Sequence, residues 1–160
     1  MDVSVRPATV ADAAAVARLT QQLGYEITPE VAETRLSHIL STPTQTFLIA
    51  EAAGEAVGCL HLSISDHIDE ERSVRVEGVV VDRARRGSGV GKRLIAEGEA
   101  WARANGCGIV RLNSSSTRHG AHRFYERLGY TNVKTQYSFA KRVDGQGPET
   151  LIKLVPRVDP

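Results

Sequence analysis

Residues 76–95 read VEGVVVDRARRGSGVGKRLI, and the reading of this stretch decides the fold. A β-branched run meets Asp82, a basic loop follows with Gly87, Gly89 and Gly91 on alternate positions, and an amphipathic helix begins. A strand, a glycine loop and a helix in that order turn successive backbone N–H groups toward an anion, and glycine lets the chain approach it without a Cβ in the way. Two familiar phosphate loops fail here. The G-x-x-x-x-G-K-[ST] loop needs Gly where Arg86 stands and Ser or Thr where Arg93 stands. The dinucleotide G-x-G-x-x-G run finds Lys92 in its third glycine slot, and it lies past the middle of the chain rather than after the first strand. What fits is Arg86-x-x-Gly89-x-Gly91, with Arg85, Arg86 and Lys92 adding charge at the rim. Such a loop suits a pyrophosphate; a plain glycine-rich surface loop is the bland alternative.

Outward from this stretch the chain alternates between strand and helix signals. VSVRPAT (residues 3–9) is a first strand stopped at Pro7. Thr9 to Asp12 is a capping box that opens an Ala-rich helix to about Gln22, and Thr28 with Pro29 opens a second helix to Leu40. Residues 46–65 are two strands around a hairpin turn at Ala53-Gly54-Glu55, and residues 73–82 form a third. After the helix of 89–106, whose apolar stripe is Val90, Leu94, Gly98 and Trp101, IVRLN (109–113) is a strand. Ala121, Phe124, Tyr125 and Leu128 mark one face of a helix closed by Gly129, and QYSFAKRV (136–143) reads as a last strand. The Gly- and Pro-rich tail 144–160 is either loose or adds a short strand at Leu151–Val155. The expected architecture is α/β of the α+β kind: a mixed, mostly antiparallel sheet of six to seven strands with about four helices, in one domain over 1–143.

The bulk composition excludes several classes. The 160 residues carry a net charge of +1, with 41% hydrophobic and 24% charged residues, so nothing favours nucleic acid or an acidic membrane. Cys59 and Cys107 lie in small or apolar surroundings and read as reduced, buried fillers. No metal-ligand spacing, signal peptide or membrane span is present, and the expected compartment is the cytoplasm.

The stretch 76–95 closely resembles the signature of the GCN5-related N-acetyltransferase superfamily. SSSTRHGAHRFYERLGY (114–130) resembles the same family's later motif, a helix carrying a Tyr and closing on Gly-Tyr, in the expected order and spacing. The resemblance spans about residues 3–142. It implies that acetyl-CoA lies across two parallel strands that splay apart, the fourth and fifth here. It implies that the pantetheine arm pairs with the backbone of Val79, Val80 and Val81 like an added strand, and that the pyrophosphate rests on the N–H groups of Arg86, Gly87, Ser88, Gly89, Val90, Gly91 and Lys92. It also implies a dimer. In place of the Asn that many members carry three residues before the Ala of the Tyr helix, this chain has Arg118. RHGAHRFY and QYSFAK resemble a small-amine subset that includes aminoalkylphosphonate and aminoglycoside 6'-N-acetyltransferases.

Acetyl transfer from a thioester to an amine needs a neutral amine, a stabilised carbonyl oxygen and a protonated leaving thiolate. An alkyl amine has a pKa of roughly 10, so a base must take its proton. Tyr125 is the candidate acid, against the alternative that it only packs in its helix stripe. Glu77 is the candidate base. Two-residue parity puts it on one face with Val79 and Val81, where apolar neighbours would raise its pKa; a structural carboxylate paired with Arg75 is the alternative. A backbone N–H near Val79 would hold the oxyanion. His119 and His122 flank the Tyr helix without metal-site company. An acidic loop, Asp66, Asp69, Glu70 and Glu71, is either a solvated turn or a greeting for a cationic amine. The expected function is N-acetylation of a small primary amine. Acetylation of a protein Lys or N-terminus, or acyl-CoA binding without catalysis, are the other readings.

Overall fold

A computed structural model describes residues 2–154 of the chain. Two compact units emerge: residues 1–22 with 26–113, and residues 23–25 with 114–160. The first holds strands β1 (Ser4–Pro7), β2 (Gln45–Ala52), β3 (Glu55–Ser65), β4 (Ser73–Val81) and β5 (Val110–Leu112), with helices α1 (Ala13–Gln21), α2 (Pro29–Leu40) and α3 (Val90–Ala104). The strands lie in sequence order, antiparallel from β1 to β4, and β5 joins β4 in parallel.

The capping signals explain the helix starts. Thr9 N–H donates to Asp12 Oδ2 at 2.8 Å, and a single 3-10 turn then leads into α1. Thr28 Oγ1 accepts from Val31 N–H at 3.3 Å, with Pro29 in the first turn of α2. The hairpin turns on Ala53 and Gly54, both at positive φ, so Glu55 opens β3.

Strands β2 and β3 are buried on both faces, Leu48 and Leu60 on one, Ile49 and Cys59 on the other. Helix α3 covers the Leu60 face. It buries Val90, Leu94, Ile95, Gly98 and Ala102, so the stripe turns toward Ala102 and leaves Trp101 half-buried. Gly98 lets the helix lie close: a Cβ there would stand 2.9 Å from Leu60 and 3.2 Å from Leu62. Helices α1 and α2 also pack on β3 and β2. Cys59 and Cys107 are buried and unpaired, and no helix among the described residues is long and apolar enough to cross a membrane.

The second unit holds helix α4 (His119–Arg127) and a 3-10 helix, Pro148–Leu154. The expected strand at 136–143 does not form, so five strands stand among the described residues instead of six to seven. Alternation marks Tyr137, Phe139 and Val143 as strand-like, yet all three are over nine-tenths exposed. A strand needs an edge to pair with as well as a pattern, and this segment pairs with none. The short strand expected at Leu151–Val155 is 3-10 helix as far as Leu154; Val155 lies outside the described residues.

Candidate active site

The site is organised by one irregularity in β4. Leu60 pairs with Val79 and His61 with Gly78, but Leu62 pairs with Val76, so Glu77 is an extra residue bulged out of the ladder. Paired residues share a face. Val74 and Val76 therefore lie on the α3 face before the bulge, and Val79 and Val81 lie on it after. Side-chain face and backbone edge are locked together along a strand. Val74 N–H points at β5, donating to Ile109 C=O at 2.9 Å. Val79 and Val81 consequently aim their N–H and C=O groups at that same edge, while Asp82 N–H donates to Val57 C=O on the β3 side at 2.9 Å. Pairing with β5 stops at the rung Val76–Leu112. Beyond it β4 runs on to Val81 while β5 has ended, so this stretch of the β4 edge carries no β5 partner.

The bulge also corrects the reading of Glu77. Parity alone put its carboxylate beside Val79 and Val81, among apolar groups. Instead Ser63 Oγ donates to Glu77 Oε1 at 2.5 Å, and Ser63 belongs to the opposite face, with His61 and Arg75. Glu77 is exposed there. Arg75 turns to Asn113: with that amide oriented so that both its ends are satisfied, its oxygen accepts from Nη1 at 3.1 Å and its nitrogen donates to Leu112 C=O at 3.3 Å. His61 stacks on Phe47, and its Nε2 lies 2.7 Å from Gln45 Oε1. Burial pushes the His61 imidazole down from its ordinary pKa, and the Glu77 carboxylate pulls it partly back.

Past Val81 the chain is tied down before it reaches the glycines. Asp82 accepts from Ala84 N–H at 3.0 Å and from Arg18 Nη1 at 2.8 Å, and these bonds hold its carboxyl below the usual range. Arg18 also donates to Ala56 C=O at 2.7 Å, and Gln22 Oε1 accepts from Arg83 N–H at 2.9 Å. Gly87 and Gly89 then take φ of 75° and 89°, a region costly for other residues. Gly89 caps α3 without a side-chain bond to its first turn. The first long bond of the helix is Arg93 N–H to Gly89 C=O at 3.0 Å, so the amides of Val90, Gly91 and Lys92 lie ahead of the ladder. A 15-residue helix with such a start suits a negatively charged group. Arg86, Gly87, Ser88, Gly89 and Lys92 are exposed.

In the second unit Tyr125 lies half-buried on α4, in edge contact with Phe124 and Tyr130 at 5.1 and 5.9 Å. Tyr130 N–H closes the helix on Tyr125 C=O at 3.0 Å, with Gly129 left-handed at φ 92°. Burial raises the phenol pKa above 10.0, offset in part by the Arg118 charge, so the group keeps its proton. His122 donates from Nε2 to Ser115 C=O at 2.8 Å, and His119 meets it edge-on. Two of the four acidic-loop carboxylates are engaged: Asp66 with Arg72 and Glu70 with Arg111, each at 3.3 Å.

The first unit thus joins Val79–Val81 to the loop Arg86–Lys92 in one continuous path. It turns Glu77 to the other face. The bulge at Glu77–Gly78 and the His61–Gln45 contact are not among the sequence expectations, although a lone glycine inside a strand is a bulge signal.

A family model described as Acetyltransferase (GNAT) family matches residues 13–130. The aminoalkylphosphonate N-acetyltransferase of Salmonella typhimurium is 29% identical over 139 residues, covering 86% of this chain and 89% of that protein. An aminoglycoside N(6')-acetyltransferase type 1 of Stenotrophomonas maltophilia is 34% identical over 135 residues, covering 82% and 88%. Among solved structures, an aminoglycoside N-acetyltransferase in complex with CoA superposes with a TM-score of 0.80 at 24% identity, over 88% of this chain and 95% of that one. With the parallel β4–β5 pair and the glycine loop in place, the chain belongs to the GNAT acetyltransferase family and is an acetyl-CoA-dependent N-acetyltransferase.

Proposed function

We propose that this enzyme transfers the acetyl group of acetyl-CoA to a primary amine of a small molecule, by direct attack of the amine on the thioester. The observation that carries the donor side is the run of β4 from its unpaired edge at Val79 and Val81 into the side-chain-uncapped start of α3. In this reading the pantetheine amides pair with Val79–Val81, and the pyrophosphate takes the N–H groups of Arg86–Lys92. A β4 backbone N–H near Val79 stabilises the carbonyl oxygen as charge builds on it. Glu77, across the strand from the donor edge, serves as base for the amine. Tyr125, holding its proton, serves as acid for the thiolate. Support for a small acceptor comes from the two relatives above, whose names carry small amines. We also propose a homodimer, supported by the bare apolar side chains of Tyr137, Phe139 and Val143.

The test is thiol release from acetyl-CoA across a panel of aminoalkylphosphonates, aminoglycosides, simple amines and peptides. Saturable release with a small amine is the expected result. Release with peptides alone, or CoA binding with no release on any acceptor, would overturn the reading.

A further inference from the structure

We propose that His61 and Glu77 act as one proton-accepting pair for an acceptor amine seated over Gly78. The inference rests on the acetyltransferase reading above and goes beyond it by bringing a β3 residue into the chemistry. His61 pairs with Gly78 across the β3–β4 ladder, and the bulged Glu77 comes next on β4. The bond from Ser63 places the Glu77 carboxylate on the same face as His61. Between them the floor is bare. A Cβ built on Gly78 meets nothing within 4 Å, and this glycine, beside the bulge, is not left-handed, so the space above it is open.

The imidazole is held in one protonation pattern. With the Gln45 amide placed so that Oε1 faces the ring at 2.7 Å, His61 Nε2 is assigned as the donor. The neutral ring then keeps its lone pair on Nδ1. Stacking on Phe47 fixes the ring plane. Glu77 is the charged group whose field reaches this ring, acting against the effect of burial. Arg75, on the same face of β4, is engaged by Asn113. From α1 and α2, which pack on β3 and β2, the buried residues are apolar (Ala13, Val16, Ala17 and Leu19; Ala32 and Leu36), and α3 packs over the opposite, Leu60 face.

The step balances as follows. The ammonium gives one proton to His61 Nδ1, and the resulting imidazolium is neutralised by the Glu77 carboxylate. The freed nitrogen lone pair forms the N–C bond to the thioester carbon. The C–S bond breaks as the carbonyl re-forms, and the CoA thiolate takes a proton from an acid; the attacking nitrogen gives up its second proton, which restores that acid and leaves a neutral amide. The pair returns its own proton to solvent.

Three measurements on the full chain test this. In His61→Gln, kcat/KM for the amine should fall about 100-fold near neutral pH, within the usual range for loss of an acid–base group. The gap should narrow as pH climbs toward the amine's own value of roughly 10, with KM for acetyl-CoA unchanged. Gly78→Val should raise KM for the amine and leave that for acetyl-CoA alone. By NMR titration, Glu77→Gln should lower the His61 pKa, because the group that favours the charged ring is gone. A His61→Gln profile that superimposes on the wild type at every pH overturns the pair while the acetyltransferase reading stands. So does a His61 pKa indifferent to Glu77. Wild-type enzyme that releases no thiol with any amine overturns the reading and the pair together.

Discussion

At Tyr125 two roles compete, and a single hydroxyl separates them. The ring packs against Phe124 and Tyr130, which Phe would reproduce. If the phenol protonates the departing thiolate, Tyr125→Phe should lower kcat by about 100-fold, in the range typical of a lost general acid, and leave CoA binding intact. An unchanged kcat would reduce Tyr125 to packing. Burial lifts its pKa above 10.0, so this group should cause no loss of rate on the alkaline side below that value. The residue types at the site were legible in the sequence; their faces were not. Glu77 was placed by parity beside Val79 and Val81, and parity holds only while a strand stays regular. One extra residue at Gly78's neighbour reversed it.

Among the elements, α3 matters most, because its first turn is the proposed phosphate site. Its start is pinned by Gly58 of β3. A Cβ at Gly58 would stand 2.9 Å from the Val80 carbonyl and 3.0 Å from Val90 and Leu94. The carbonyl is backbone and cannot rotate away. Gly58→Ala should therefore destabilise the fold by about 1–3 kcal/mol, the usual cost of overpacking, and weaken CoA binding with it. Denaturant unfolding checks the first effect and calorimetry the second; wild-type values in both would contradict the account. Helices were well read from sequence because Thr9, Thr28 and Gly89 write their starts into the chain. The strand expected at 136–143 does not form, for a converse reason. Alternation at Tyr137, Phe139 and Val143 reports a pattern, while a strand requires an available edge, which no local pattern encodes.

For the whole molecule, that bare segment bears on assembly. If a second copy covers it, Phe139→Asp should shift the protein to monomer in gel filtration and light scattering, and a wild type that is already monomeric would rule the dimer out. The central claim, however, concerns β4. The bulge at Glu77 turns Val79 and Val81 toward an open edge, the one proposed above to receive acetyl-CoA, and it sends the carboxylate to the other face. Residue-resolved amide hydrogen exchange with and without CoA tests this most directly. The account predicts slowed exchange at Val79, Val81 and Val90 to Lys92 on binding, with Val80, which already faces β3, unchanged. Binding of CoA without added protection at Val79 and Val81 would contradict it.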